Sequence, residues 1–426
     1  MKTRYSLQRL FVVISAIFCI VQLDFEGTVL AKNSSASIDA DRTITIPSVK
    51  KIRVLLEEKN VNKESRFIIK ARHSFVLEGP IDSGQTALYN EKEIFLLCKK
   101  KQLFLKCYDR EHDTAQYRRI KYNNVEICDP NHKLTLGSKT YQGSLIFRID
   151  PTTNTLLVIN RVPLEDYVYS VVRNECIPSW PLGMQKIQAI ISRTYAVYLM
   201  QQARLKNPRF CFYDIKNTNL HQVYNGMHNY THLRQAVDET QNLILTYKNH
   251  IALTMFDICC GGVIPGLMRG KDASAPYLYR TQRCTYCHES PSYRWKEDMH
   301  IDKFMKSLKN VPRLSSRFKS FKGSLLDAKI TDRDKAEIVQ KIKFFDKRHN
   351  TFAFTGNDIR GAFPNQIKSA CFTVKKIRDR IVISGKGYGH QKGVCQWGCK
   401  NLVEKGWSLK RILSFYYPGT KLSRLL

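Results

Sequence analysis

Residues 162–200, VPLEDYVYSVVRNECIPSWPLGMQKIQAIISRTYAVYLM, constrain the fold more than any other stretch. Leu164, Val168 and Val171 recur at i, i+4 and i+7, the apolar stripe of an amphipathic helix. Pro178 and Pro181 stop this helix and start another across a tight corner at 176–181. The second helix runs from 182 to about 205 and is nearly apolar between Ile187 and Met200. Glu175 takes the next step of the first stripe, where another apolar residue is expected. Two readings are open. In one, Glu175 is a solvated residue in a frayed last turn. In the other, it sits at a buried helix C-terminus, where desolvation and the negative end of the helix dipole both favour its protonated form. A carboxylic acid that keeps its proton near neutral pH is a candidate general acid.

Charge bears on the partner. The 426 residues hold 69 Lys and Arg against 37 Asp and Glu, a formal net charge of +32. That balance suits a polyanion: nucleic acid, an anionic membrane face or an acidic envelope polymer. The basic residues are spread along the chain with no single arm, which argues against nucleic acid. A hydrophobic content of 43% is that of a globular protein. The N-terminus bears on the compartment. Lys2, Arg4 and Arg9 precede an apolar run at 10–23, and Val29 and Ala31 suit a cut after Ala31. This is the pattern of a secretory signal peptide, and an uncleaved one would serve as an anchor. No later segment is long and apolar enough to span a bilayer. The expectation is export across the cytoplasmic membrane to a periplasmic or envelope location.

Export would permit disulfides among the thirteen cysteines, twelve once Cys19 in the apolar run is set aside. Two arrangements stand out, adjacent Cys259-Cys260 and Cys284-x-x-Cys287. The second is followed by His288 and is half of a zinc signature, with a disulfide or free thiols as alternatives.

The rest of the chain reads as an α+β protein. After the signal (1–31) and a Ser-rich linker (32–45), residues 46–158 hold apolar runs of strand length such as KIRVLL, RFIIKA, EIFLLC and QLFLKC. SLIFRI and LLVINR flank Asp150-Pro151-Thr152-Thr153-Asn154, a hairpin turn. This β-rich unit leads into a mixed helical and strand core at 159–297. A basic, helical-looking insertion follows at 298–365, read as solvated and suited to rest on an acidic polymer, and the core resumes at 366–426. Strand character returns at 372–384, and helices at 395–405 and 408–415 close the fold.

Several residues stand out for chemistry. Gln185, Gln188, Ser192 and Tyr195 share one face of the second helix, while Arg193 lies beside Ala189, Ala196 and Met200. A guanidinium there needs either a carboxylate such as Glu165 or an anionic ligand. The loop 211–225 is polar and aromatic, a type that often carries function. Gly261 and Gly262 after a strand form either a plain tight turn or a close approach to a ligand. His390 sits among four glycines, either as a binding residue or as a hydrogen-bonded ring in a turn.

Taken in order, these pieces resemble the stage II sporulation protein D (SpoIID/LytB) family. Pro163-Leu164-Glu165-Asp166-Tyr167, then Glu175, then Arg193-Thr194-Tyr195-Ala196 follow its first motifs. Asp214 to Gly226, with Gln222 and Tyr224, resembles the D-x-x-x-x-Q-x-Y-x-G loop. Cys259-Cys260-Gly261-Gly262 stands for S-S-G-G. Gly389-His390 through Gly393, Gln396 and Gly398 resembles G-H-G-V-G-M-S-Q-x-G-A, and Tyr416 to Thr420 gives Y-Y-P-G-T. The departures are Gly183 in place of an acid, cysteines in place of both serines, Gln391 and Lys392 within the glycine run, and Val394 and Cys395 in place of Met and Ser.

The resemblance implies a lytic transglycosylase acting on peptidoglycan glycan strands, often ones stripped of stem peptides. Glu175 matches the catalytic acid. Arg193, Tyr195, Gln222, Tyr224, Gly261, Gly262, His390 and Gln396 are the substrate-binding candidates. No cofactor is implied for catalysis. Zinc-containing family members add to the expectation of a structural zinc at Cys284 and Cys287. The implied partners are glycan strands and an amidase that removes stem peptides, with no nucleic acid. A non-catalytic amidase enhancer using the same groove is the other reading.

Overall fold

The computed structural model describes residues 49–72, 74–78, 87–89, 92–109, 114–206, 211–218, 221–315, 325–348 and 350–425. The export signal and linker expected at 1–45 fall outside these. The chain divides into two compact units. One comprises Ile46–Pro178, Gln188–Leu243 and Arg424–Leu426, and the other Ser179–Ile187 and Ile244–Ser423.

The first unit is built on one large sheet. Its strands are β1 (Lys51–Asn60), β2 (Ser65–Ala71), β3 (Phe75–Glu78), β4 (Ala87–Tyr89), β5 (Glu93–Lys99), β6 (Gln102–Asp109), β7 (Thr114–Arg119), β8 (Asn124–Leu136), β9 (Lys139–Asp150), β10 (Thr155–Pro163) and β11 (Ile215–Lys216). The order is β11-β1-β10-β9-β8-β2-β5-β6-β7, with β3 on β8 and β4 on β3. The predicted turn at 150–154 joins β9 to β10, with Asp150 opposite Thr155. Alternation sets the core, as in β5, where Ile94, Leu96 and Cys98 are buried between more exposed neighbours.

Strand β10 runs without a loop into α1 (Leu164–Glu175), the helix whose apolar stripe was read from Leu164, Val168 and Val171. Glu165 and Asp166 in its first turn and Arg173 in its last complement the helix dipole. Val168, Val171 and Val172 are fully buried, worth roughly 1.5–3 kcal/mol each. The prolines turn the chain, and α2 (Leu182–Lys206) follows. The division between units falls within α2, after Ile187. Helix α3 (Thr231–Asp238) rests on α1 through Leu233, Ala236 and Val237, and Arg234 pairs with Asp166 at 2.8 Å.

The second unit combines small sheets. Strands β12 (Leu243–Tyr247), β13 (His250–Ile251) and β22 (Lys421–Arg424) form one, and β14 (Phe256–Asp257) pairs in parallel with β21 (Val394–Cys395). Strands β15 (Arg294–His300), β20 (Arg380–Lys386) and β19 (Phe372–Ile377) form a third, and β16 (Leu325–Arg333), β17 (Val339–Asp346) and β18 (Thr351–Phe354) a fourth. Helices α4 (Ile301–Lys309), α5 (Pro312–Ser315), α6 (Gly356–Ala362), α7 (Gln396–Glu404) and α8 (Leu409–Tyr416) complete it. Among the described residues, no helix is long and apolar enough to cross a membrane.

The α+β class stands, but the helical reading of 298–365 is corrected. Only its beginning and end are helical, and the middle is the β16-β17-β18 sheet. The physical reason is a period of two that the charged residues disguise. Ile342 and Phe344 on β17 and Phe352 and Phe354 on β18 point to one side. They join Phe304, Leu308, Phe363 and Ile383 in a single core, so the segment is not a solvated appendage. Phe304 stacks on Phe363 with centroids 4.8 Å apart.

Candidate active site

Glu175 is the last residue of α1 and is 7% exposed. Its Oε1 accepts a hydrogen bond from the Val223 backbone N–H at 3.0 Å. Burial pushes its pKa up to about 7, and the Val223 contact opposes that shift. The solvated, frayed alternative does not describe this side chain. The acid reaches its place because the stripe that buries Tyr167, Val168 and Val171 carries one step further, to the C-terminal turn.

Four of the expected binding residues, Arg193, Tyr195, Gln222 and Tyr224, lie in the same unit as Glu175. Gln222 is buried, accepts from Tyr167 Oη at 2.9 Å and donates to the Ser192 carbonyl at 3.3 Å. Tyr224 is buried, stacks on Tyr167 at 5.3 Å, and donates to Asn160 Oδ1 at 2.6 Å. Asn160 in turn donates to the carbonyls of Gln142 and Ser144 on β9. Tyr195 is half-buried, and its phenol is pushed up by burial and by the nearby Glu175 charge. The fully buried Tyr167 phenol is also raised, first by burial and then by Glu175. Tyr167 was missed as a site residue. Its signal was the spacing Tyr167, Val171, Glu175, which places it on the face of α1 that carries the acid.

Gln222 and Tyr224 are thus held by the fold as much as they could hold a ligand. Tyr224→Phe is expected to destabilise the protein by about 1–3 kcal/mol, because Asn160 Oδ1 loses its donor inside the unit. Urea denaturation measures this. An unchanged midpoint would mean that Asn160 finds a replacement.

Arg193 is fully buried and takes the ion-pair alternative. Its guanidinium donates to Glu165 at 2.6, 2.9 and 3.2 Å, and to the Leu243 carbonyl at 3.1 Å. Glu165 also accepts from the Asn242 N–H at 3.2 Å. The pair ties α1 and α2 to the chain entering β12.

The remaining candidates lie in the second unit. Gly261 and Gly262 follow β14 with φ of +62° and +78°. A Cβ on Gly261 would come within 2.4 Å of the Gly387 nitrogen, so this turn needs glycine both for its backbone angle and for space. His390 is half-buried, and its Nδ1 accepts from the Lys392 N–H at 3.0 Å. Burial, with Lys392 and Arg360, pushes its pKa down to about 3, so the ring is neutral. Gln396 begins α7 and is buried. Sequence reading also missed Asp257 on β14, a fully buried carboxyl held well above its usual range by desolvation. Its Oδ2 accepts from the Gln391 N–H at 2.6 Å.

For metal, Cys284 and Cys287 are both fully buried and have two companions that the sequence did not suggest, Cys260 and Cys395. The four sulfurs lie within 4.8 Å of one another. Mutual sulfur contacts push Cys284 and Cys287 down from the ordinary thiol range, while Cys260 and Cys395 are pushed up.

Comparison with known proteins fits this geometry. The family model for stage II sporulation protein (SpoIID) matches residues 152–247, which hold α1, α2, Glu175, Gln222 and Tyr224. A domain of unknown function, DUF8618, matches residues 219–393. An uncharacterized protein of Brachyspira hyodysenteriae is 33% identical over 71% of this chain and 77% of its own length. The amidase enhancer of Bacillus subtilis is 26% identical over 72% of this chain, which spans 46% of that relative. Stage II sporulation protein D of Bacillus subtilis is 27% identical over 62% of this chain and 76% of its own length. With the motifs in order and the acid at the end of α1, the chain belongs to the SpoIID family.

Proposed function

We propose that the protein is an exported lytic transglycosylase that cleaves the bond between N-acetylmuramic acid and N-acetylglucosamine in peptidoglycan glycan strands. The observation that carries the reading is Glu175, a buried carboxyl whose pKa is raised to about 7. Hydrolytic glycosidases usually divide acid and base work between two carboxylates. A transglycosylase can run both steps on one. Protonated Glu175 gives its proton to the leaving glycosidic oxygen as the C1–O bond breaks. The resulting carboxylate takes the proton of the muramic C6 hydroxyl as that oxygen bonds to C1. The product is a 1,6-anhydro end, no water is consumed, and Glu175 regains its proton. A pKa near the working pH keeps both forms accessible, as this double role needs.

Family membership supports the same reading, and so does charge. Strands stripped of stem peptides expose lactyl carboxylates, which suit a chain with a formal charge of +32. An amidase that removes those peptides would act first. The relative named amidase enhancer favours a second reading, in which the chain holds glycan for such an amidase without cutting it. The product separates the two. Purified protein incubated with denuded strands is expected to release 1,6-anhydro-muramic ends detectable by mass spectrometry. Binding to the strands with no such ends, at any pH from 5 to 8, would refute the enzyme and leave the enhancer.

A further inference from the structure

We propose that Cys260, Cys284, Cys287 and Cys395 form a four-thiolate structural zinc site in the second unit, joining the Cys259–Gly262 turn to the start of α7. The site is independent of the glycan reaction and extends the half-signature of Cys284 and Cys287 to a closed set.

The geometry is that of a metal site more than of a disulfide pair. The Sγ atoms of Cys260 and Cys287 are 3.7 Å apart. Tetrahedral zinc with bonds of about 2.3 Å to sulfur sets its ligand sulfurs ~3.8 Å apart. A disulfide needs about 2.05 Å. All four side chains are at most 1% exposed, and all are free thiols. Cys259 is a fifth buried thiol that touches Cys287 and Cys395, with its Sγ 3.8 Å from the Cys287 carbonyl, but it lies outside the group of four mutually close sulfurs.

The surroundings complete the arrangement. The Cys260 N–H points at Cys395 Sγ at 3.2 Å, and Tyr416 Oη lies 3.3 Å from Cys284 Sγ. Groups of this kind orient and tune thiolate ligands. Zinc with four thiolates carries a net charge of −2, which a buried site must offset. Arg280 is 2% exposed and feels the charges of Cys260, Cys284 and Cys395. Its guanidinium donates to the carbonyls of Gln282 and Val263, and among the described residues no carboxylate lies within ion-pair distance of it. The cysteine cluster and the buried Asp257 carboxyl are both acidic groups that act on this buried cation. Gly398 makes room for the sulfurs, since a Cβ there would stand 2.7 Å from Cys284 Sγ and 3.4 Å from Cys395 Sγ.

The departures from the family pattern converge on the same point. Cys260 replaces the second serine of the S-S-G-G turn, and Cys395 replaces the serine before Gln396. These positions are 135 residues apart in sequence, yet both meet the Cys284-x-x-Cys287 knuckle. Zinc, four-coordinate and without redox chemistry of its own, suits a closed set of thiolates in a structural role.

The test uses the full chain purified without added metal. Elemental analysis is expected to find roughly one zinc per chain. Removing it with a chelator should expose four further thiols to alkylation, located by peptide mass spectrometry. Replacement by cobalt should give the intense sulfur-to-cobalt and tetrahedral bands of a thiolate site, a readout that needs no mutation. Cys287→Ser should lower zinc at least tenfold, and Cys399→Ser, a buried cysteine outside the set, should retain it. Absence of zinc, iron in its place, a non-tetrahedral cobalt spectrum, or a disulfide among these four cysteines in non-reducing maps would each overturn the site.

Discussion

Glu175→Gln is expected to abolish the release of anhydro-muramic ends while making the fold more stable above neutral pH. The amide keeps the shape and can still accept from the Val223 N–H, but it has no proton to give. A positioned general acid contributes about 10²–10⁴-fold, and here one residue serves both proton transfers. The stability effect follows from where the proton sits. A buried carboxyl raised from an ordinary value of 4.5 to about 7 binds more protons folded than unfolded between those limits. Wild-type stability therefore falls as pH rises through that window, by about 3 kcal/mol for the full shift. The Gln variant lacks this slope. Denaturation midpoints should coincide near pH 4 and separate in favour of the variant at pH 8. A variant that still cuts, or that is weaker than wild type at pH 8, would remove Glu175 from the role.

Glu165→Leu should be the most damaging change away from the acid. It leaves the Arg193 guanidinium fully buried with backbone carbonyls alone to answer its charge. Losing one partner of a buried pair costs about 3–5 kcal/mol, a large part of the roughly 5–15 kcal/mol that holds a domain together. The double variant Glu165→Leu/Arg193→Met should recover most of that loss, because a matched apolar pair leaves no buried charge behind. Urea denaturation of the two variants measures this. If Glu165→Leu instead keeps wild-type stability and loses only glycan binding, Arg193 serves a ligand and the ion pair is incidental.

How much of this was legible in the sequence depended on how local the signal was. Helix α1 was legible because its stripe and the two prolines that end it all lie within one short stretch. The β9-β10 hairpin was legible for the same reason. The β16-β17-β18 sheet was not. Leu325–Arg333 carries four charged side chains in nine residues and looks solvated until its partner strand is known. Strand burial is decided by the neighbour, and sequence does not name the neighbour. Arg193 was legible as a guanidinium in need of an anion, and only packing chose Glu165. The cysteine cluster was half legible. Cys284-x-x-Cys287 and adjacent Cys259-Cys260 both stand out locally, but nothing local joins either of them to Cys395 until the parallel β14-β21 ladder does so.

That ladder also bears on the order in which the chain can fold. It is two residues long, Phe256 opposite Val394 and Asp257 opposite Cys395. Closing so long a loop costs about 4 kcal/mol of chain entropy, and so short a ladder returns little against it. Contacts of this kind form late, after the local hairpins and helices on either side. The Gly261 turn and the start of α7 are therefore among the last parts of the second unit to take shape, and they wait on residues near the C-terminal end of the chain.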